Sequence, residues 1–273
     1  MIVTLCQRKG GAGKTTIAAS LAAVMSSGAF RQVTSGITVD VDGQGSFTRW
    51  AMGVESARSI IRSQSVAALE WPVNKLNFEL DNPMRNPGIT PAELVALAAP
   101  DCLRPSLLPG VSHVGLNPRV YAAGIGMVLL QELGTNIIVD CPPDFETKMA
   151  RAAILQSDFV LCPVVPEPWA VDGCELVLGA IRSLDRDELI DTGRVLFVIN
   201  QRQRCGLHDA YEKALRKRFG KMISSVVIPR NISVAEASES VHRLKPKSIL
   251  FEAGKKLFCE MEKIAKNSKK KAA

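Results

Sequence analysis

The chain has little with which to stack bases or to cross-link itself. Its 273 residues include two tyrosines and three tryptophans, and aromatics reach only 5%. Seven cysteines, at positions 6, 102, 141, 162, 174, 205 and 259, form no C-x-x-C and no paired spacing, and their number is odd. That excludes a disulfide framework and reads as reduced, mostly buried thiols of a cytosolic protein. No apolar run approaches the ~20 residues that span a bilayer, and no targeting signal precedes the first apolar segment. The expectation is a soluble, cytoplasmic protein. There are no internal repeats and no low-complexity tract apart from the lysines at 269–271. The first strand is expected at residue 2, which leaves no room for a separate N-terminal DNA-binding module.

Charge is present but unevenly spread. Residues 1–200 carry 16 Lys+Arg against 20 Asp+Glu, whereas residues 201–273 carry 18 against 7. An acidic body and a basic end suggest a polyanionic partner, although a solvated surface helix and a frayed basic tail over 267–273 would give the same count.

Apolar runs alternate with amphipathic stretches, which predicts βα units and a doubly wound, mainly parallel sheet with helices on both faces. Strands are expected at 2–6, 36–41, 111–116, 136–141, 157–164, 194–200 and 222–228. Helices are expected at 14–27, 90–98, 119–133, 147–155, 170–184, 206–219, 232–240 and 249–266. The turn-rich stretch 50–110 reads as an irregular insertion in one domain spanning 1–273.

The most informative stretch joins the first strand to the first helix: Lys9, Gly10, Gly11, Ala12, Gly13, Lys14, Thr15 and Thr16. Strand, glycine loop and helix are the context a P-loop requires. Glycines let successive N–H groups turn inward on phosphate oxygens, and the helix start adds its positive dipole end. Lys14 would neutralise the β/γ-phosphates and the Thr15 hydroxyl would ligate Mg²⁺. The generic pattern wants glycine at Arg8; this loop instead has a second lysine, Lys9, before a diglycine.

K-G-G-x-G-K-T-T resembles the deviant Walker A motif of the ParA/MinD superfamily of ATPases. The resemblance implies that Lys9 is the signature lysine, reaching across a nucleotide-sandwich homodimer to the partner's ATP. Val39 to Gly45 resembles the family's D-x-D-P-Q-G stretch, with Gly43 where proline is usual. By that match Asp42 orients or deprotonates the attacking water, and Asp40 supports either the Mg²⁺ shell or the loop. Asn136 to Pro143 is an apolar strand ending in Asp140, the Walker B arrangement for holding Mg²⁺. Its D-C-P-P string matches the family, as do Asp158 to Gly173 and Ile228 to Asn231. Pro229 and Arg230 are thereby placed near the base and the dimer face. Asn200, ending an apolar strand, has amide donors and acceptors suited to an adenine edge.

Among relatives, an iron–sulfur member would need cysteines placed for a shared cluster, and Cys102 and Cys141 fall outside that pattern. A tyrosine kinase would need a tyrosine cluster, and only Tyr121 and Tyr211 exist. The resemblance favours a ParA-type partition ATPase that binds DNA non-specifically and works with a cargo-bound, ParB-like adaptor, cytoplasmic and nucleoid-associated. Candidate phosphate contacts are Arg202, Arg204, Lys213, Arg216, Lys217, Arg218 and Lys221 around one helix, then Arg243, Lys245 and Lys247. With few aromatics interleaved, phosphate contact is expected without base readout. Two alternatives stand: a positioning ATPase for a protein cargo, and a MinD-like membrane cycler. The latter would use the stripe Ile249, Phe251, Leu257, Phe258, Met261 and Ile264 on the last helix.

Overall fold

The computed structural model describes residues 1–28, 36–42, 44–53, 104–108, 111–115, 136–144, 147–184 and 192–272. The helices expected at 90–98 and 119–133 lie outside these residues, as does most of 50–110.

Among the described residues eight strands form one sheet. They are β1 (Ile2–Leu5), β2 (Gly36–Asp40), β3 (Arg104–Pro105), β4 (Val111–Gly115), β5 (Asn136–Asp140), β6 (Phe159–Val164), β7 (Val195–Arg202) and β8 (Ile223–Pro229). Their order is β3-β4-β2-β5-β1-β6-β7-β8, parallel throughout except for the short edge pair β3–β4. The described helices are α1 (Lys14–Ser26), α2 (Ser46–Met52), α3 (Lys148–Leu155), α4 (Ala170–Leu184), α5 (Gly206–Phe219), α6 (Ile232–Glu239) and α7 (Ile249–Ala272).

The strands are near-continuous apolar runs because both faces are covered. Val3, Leu5, Ile138, Leu161 and Val198 pack with α1, α2, α6 and α7 on one side. Ile2, Cys6, Ile137, Val139, Val160 and Phe197 pack with α3, α4 and α5 on the other. The alternation along each strand therefore feeds two cores, as the doubly wound reading requires.

Three local expectations are corrected. No helix was expected at 46–49, but Ser46–Met52 form one, because Phe47 and Trp50, stacked at 5.9 Å, are buried against α1 and the Trp50 Nε1 donates to the Ala237 carbonyl. The strand end at β7 continues through Arg202. The last helix is longer than the expected 249–266: α7 runs to Ala272 and is built largely of strong helix formers.

The apolar stripe of α7 is already used. Leu250, Phe251, Leu257, Phe258 and Met261 are buried in the α1 side of the core, Ile264 packs against it, and only Ile249 is well exposed. The Ser20 hydroxyl of α1 donates to the Leu250 carbonyl at 2.5 Å. A Cβ on Gly254 would lie 2.8 Å from the Ser20 carbonyl oxygen, so glycine there is what lets the two helices touch. Among the described residues no helix is long and apolar enough to cross a membrane.

Candidate functional site

The conspicuous motifs gather at the carboxyl edge of the sheet, where a parallel fold opens its crevice. The P-loop follows β1, Asp40 ends β2, Asp140 ends β5, and Asn200 lies near the end of β7. Asp40 and Asp140 are register partners on neighbouring strands, so the two carboxylates stand side by side.

The loop needs its glycines. Gly11 (φ 73°) and Gly13 (φ 101°) adopt left-handed conformations, and Gly13 accepts the first helical hydrogen bond, from Ile17 N–H at 3.0 Å. Gln7 fastens the start of the loop to β6, its Nε2 donating to the Pro163 carbonyl at 2.8 Å while its Oε1 accepts from Arg8 N–H. Further along the loop, the Asn200 Nδ2 donates to the Ala12 carbonyl and the Gln201 Nε2 to the Gly11 carbonyl, both at 2.7 Å. Turning these carbonyls outward toward β7 is the companion of turning N–H groups inward on phosphate.

The two lysines of the loop occupy opposite environments. Lys14 is 8% exposed and its Nζ donates to the Gln7 carbonyl at 3.3 Å, inside the loop. The Lys9 side chain is 58% exposed and forms an ion pair with Glu167, in the turn between β6 and α4. That turn also carries Trp169, 80% exposed with φ 69°.

The acidic groups divide. Asp140 is 1% exposed; its Oδ2 accepts from the Thr15 hydroxyl at 2.6 Å, while its Oδ1 is buried with no hydrogen-bond partner. Burial, then the charge of Asp40, hold its carboxyl well above the usual carboxylate range. Asp40 is committed to its own loop: its Oδ2 accepts from Thr48 N–H (2.7 Å) and the Thr48 hydroxyl (2.8 Å), and its Oδ1 from Asp42 N–H (3.1 Å). Burial raises Asp40 to about 6, opposed by those hydrogen bonds. Asp42 is half-buried and accepts from Gln44 N–H at 2.9 Å.

A divalent cation fits this donor set. An orphaned buried carboxylate oxygen beside a threonine hydroxyl, with a second carboxylate one strand away, is an arrangement short of positive charge. Among the described residues no cluster of three or more His, Cys, Asp or Glu is disposed to hold a metal alone. One or two carboxylates beside a threonine hydroxyl suit Mg²⁺, which completes its shell with water and phosphate.

The basic candidates are partly self-neutralised. Arg202 pairs with Asp209 and Glu212, Arg216 with Glu212, and Arg218 with Glu175. Arg204, Lys213, Lys217, Lys221, Lys245 and Lys247 are exposed, with no ion-pair partner among the described residues. Arg243 lies in a short 3₁₀ turn. Pro229 ends β8, and Arg230 follows it, exposed, its N–H donating to the Arg202 carbonyl at 2.9 Å.

Thr16 lies in the first turn of α1, half-buried. Motif reading missed Gln7, Thr48, Glu167 and Gln201. Glu167 stood in a stretch already recognised as family-like, but nothing local linked it to Lys9.

A parallel sheet, a glycine loop feeding a helix, and a buried aspartate bonded to the loop threonine through one oxygen, its other oxygen unpartnered, define a P-loop nucleotide-binding protein of the α/β class. Residues 3–244 match the CobQ/CobB/MinD/ParA nucleotide binding domain, and the chain belongs to that family, within its ParA/Soj-like partition or positioning ATPases. It is 26% identical over 239 residues to the sporulation initiation inhibitor protein Soj of Bacillus subtilis, covering 86% of this chain and 87% of that one. It is 28% identical over 240 residues to the chromosome-partitioning ATPase Soj of Thermus thermophilus, covering 86% and 83%. In fold it resembles a putative plasmid partition protein of Borrelia burgdorferi solved with AMPPNP (TM-score 0.62, 17% identity, 96% and 98% covered). It also resembles the septum site-determining protein MinD of Pyrococcus horikoshii solved with Mg-ADP (TM-score 0.55, 18% identity, 97% and 96% covered).

Proposed function

We propose that the protein dimerises on binding ATP and Mg²⁺, binds DNA without sequence preference as the dimer, and hydrolyses ATP slowly until a cargo-bound, ParB-like adaptor stimulates it. The output is partition or positioning of a plasmid or chromosome, in the cytoplasm and on the nucleoid. The observation that carries this reading is the opposed placement of the two lysines. Lys14 sits within the loop as its own site's cation, whereas Lys9 stands outside it, available to a second copy once it leaves Glu167.

Each residue then has a task. Loop N–H groups and Lys14 hold the phosphates, and Thr15 with Asp140 would hold Mg²⁺. When bound, that ion supplies charge neutralisation across the phosphates. Asp40 organises the loop through Thr48 and so presents Asp42, which orients or deprotonates the water. Asn200 spends its amide N–H on Ala12, and its buried, unpartnered Oδ1 is the acceptor for the adenine amino group, near Pro229 and Arg230. Removing the acid at 42 should leave binding intact and stop turnover. Asp42→Ala is therefore expected to accumulate as an ATP-bound dimer retained on DNA, measured by sedimentation with DNA after ATP addition; release at the wild-type rate would remove Asp42 from that role.

DNA contact belongs to Arg204, Lys213, Lys217 and Lys221, exposed cations with no ion-pair partner among the described residues. Arg216 is a poorer choice to mutate, because it also donates to the Ser224 carbonyl and braces α5 on β8. With six to ten phosphates neutralised, affinity should fall by about 10³–10⁵ between 50 and 200 mM salt, and each contact removed should lower the log–log slope by about 0.9. The test is retention on DNA or on anionic liposomes, each with ATP and with ADP, for wild type and the fourfold alanine variant. ATP-dependent DNA retention, lost in the variant, is expected. Binding to liposomes instead would overturn the DNA reading, and the burial of the α7 stripe argues against it.

A further inference from the structure

Gln201 lies where the nucleotide loop and the basic helix come closest to sharing a residue. Its side chain holds the Gly11 carbonyl. Its backbone is left-handed (φ 54°), a conformation strained for a residue with a Cβ and maintained only where surroundings enforce it. The pairing of β7 with β8 also slips between Ile199 and Arg202, an irregularity of the kind that re-aims a side chain beside a functional site. On one side of it Asn200 holds Ala12. On the other, Arg202 pairs with Asp209 and Glu212 of α5, and Glu212 in turn accepts from Arg216 Nε at 2.9 Å. An unbroken run of bonds thus joins a P-loop carbonyl to the helix that carries Lys213 and Lys217.

We propose that Gln201 is a positioning residue that couples closure of the P-loop to the placement of α5. Reorientation of the Gly11 peptide around phosphate pulls on the Gln201 amide, and Arg202, the next residue, passes the shift to the acids of α5. The consequence for DNA rests on the function proposed above; the coupling itself does not.

The experiment uses the full chain. Amide hydrogen exchange of residues 206–219 is compared with ADP·Mg²⁺ and with a non-hydrolysable ATP analogue, and DNA affinity is measured in the same two states. Gln201→Leu deletes the donor, Gln201→Gly deletes it without opposing the left-handed backbone, and Gln201→Lys keeps a donor of similar reach. In wild type and Gln201→Lys the analogue should change exchange across α5; in the other two variants, each compared at nucleotide concentrations that saturate it because the Gly11 carbonyl has lost its donor, that change should vanish. The ATP-to-ADP ratio of DNA affinities should fall with it, by a factor within the 5–150-fold typical of site coupling. A wild-type α5 indifferent to nucleotide, or a Gln201→Gly variant that responds like wild type, overturns the coupling. So does loss of nucleotide binding in Gln201→Gly, which would make the residue part of the pocket. If α5 responds as expected but no DNA is retained, the coupling stands and the DNA reading falls.

Discussion

Gly13→Ala should abolish ATP binding while leaving a folded protein. A Cβ at this position would overlap the Asn200 Nδ2, and the backbone sits at φ 101°, where side chains other than hydrogen are strained. Relief requires moving Asn200, which frees the Ala12 carbonyl, or flattening the loop, which turns its N–H groups away from phosphate. Either route removes several charge-assisted hydrogen bonds at about 1.5–3 kcal/mol each, so affinity should drop at least about 100-fold. The local strain is about 1–3 kcal/mol. At about 2–4 °C per kcal/mol for a chain of this size, the melting temperature should fall by roughly 2–12 °C and the transition stay cooperative. Calorimetric titration with ATP·Mg²⁺ and thermal unfolding together check this; an unaltered affinity would mean that the loop closes differently around its ligand.

The second large effect separates the two lysines. Lys14→Ala removes the buried cation of the loop and should lose nucleotide binding outright, since deleting one partner of a desolvated charge pair costs about 2–5 kcal/mol. Lys9→Ala removes an exposed cation whose pair with Glu167 contributes little to stability, so folding should be unchanged and ATP affinity nearly so. What it should lose is ATP-dependent dimerisation, seen by sedimentation velocity. With it should go the trans contribution to turnover, which in related P-loop enzymes is about 10³–10⁵ in rate. Glu167 provides a control: Glu167→Gln frees Lys9 in the monomer and should ease dimer formation. A Lys9→Ala protein that pairs and turns over like wild type would sink the clamp.

Much of this site was legible because its information is local. Residues 9–16 lie on one strand–loop–helix unit, and both acidic motifs end apolar strands, so strand periodicity alone delivers Asp40 and Asp140 to one edge of the sheet. The function of a contact between distant segments was not legible in that way. Lys9 and Glu167, Asn200 and Ala12, and Gln201 and Gly11 meet only because β6 and β7 lie on the same side of β1. Helix α2 was missed because its signal is two aromatics, Phe47 and Trp50, in a segment too short for a clear period.

Composition, strand-and-helix periodicity and the glycine loop by themselves determined a doubly wound nucleotide-binding fold and its phosphate cradle, since each depends on residues a few positions apart. Packing decided the rest. An apolar stripe on α7 has the same spacing whether it meets lipid or protein, and the close approach of Gly254 to Ser20 assigns it to the core. A basic helix likewise has the same charge whether its arginines are free or paired, and the acids of α5 and α4 take its arginines, while Lys213 and Lys217 have no ion-pair partner among the described residues. Charge and apolar area are properties of a chain, but what they face is a property of its fold.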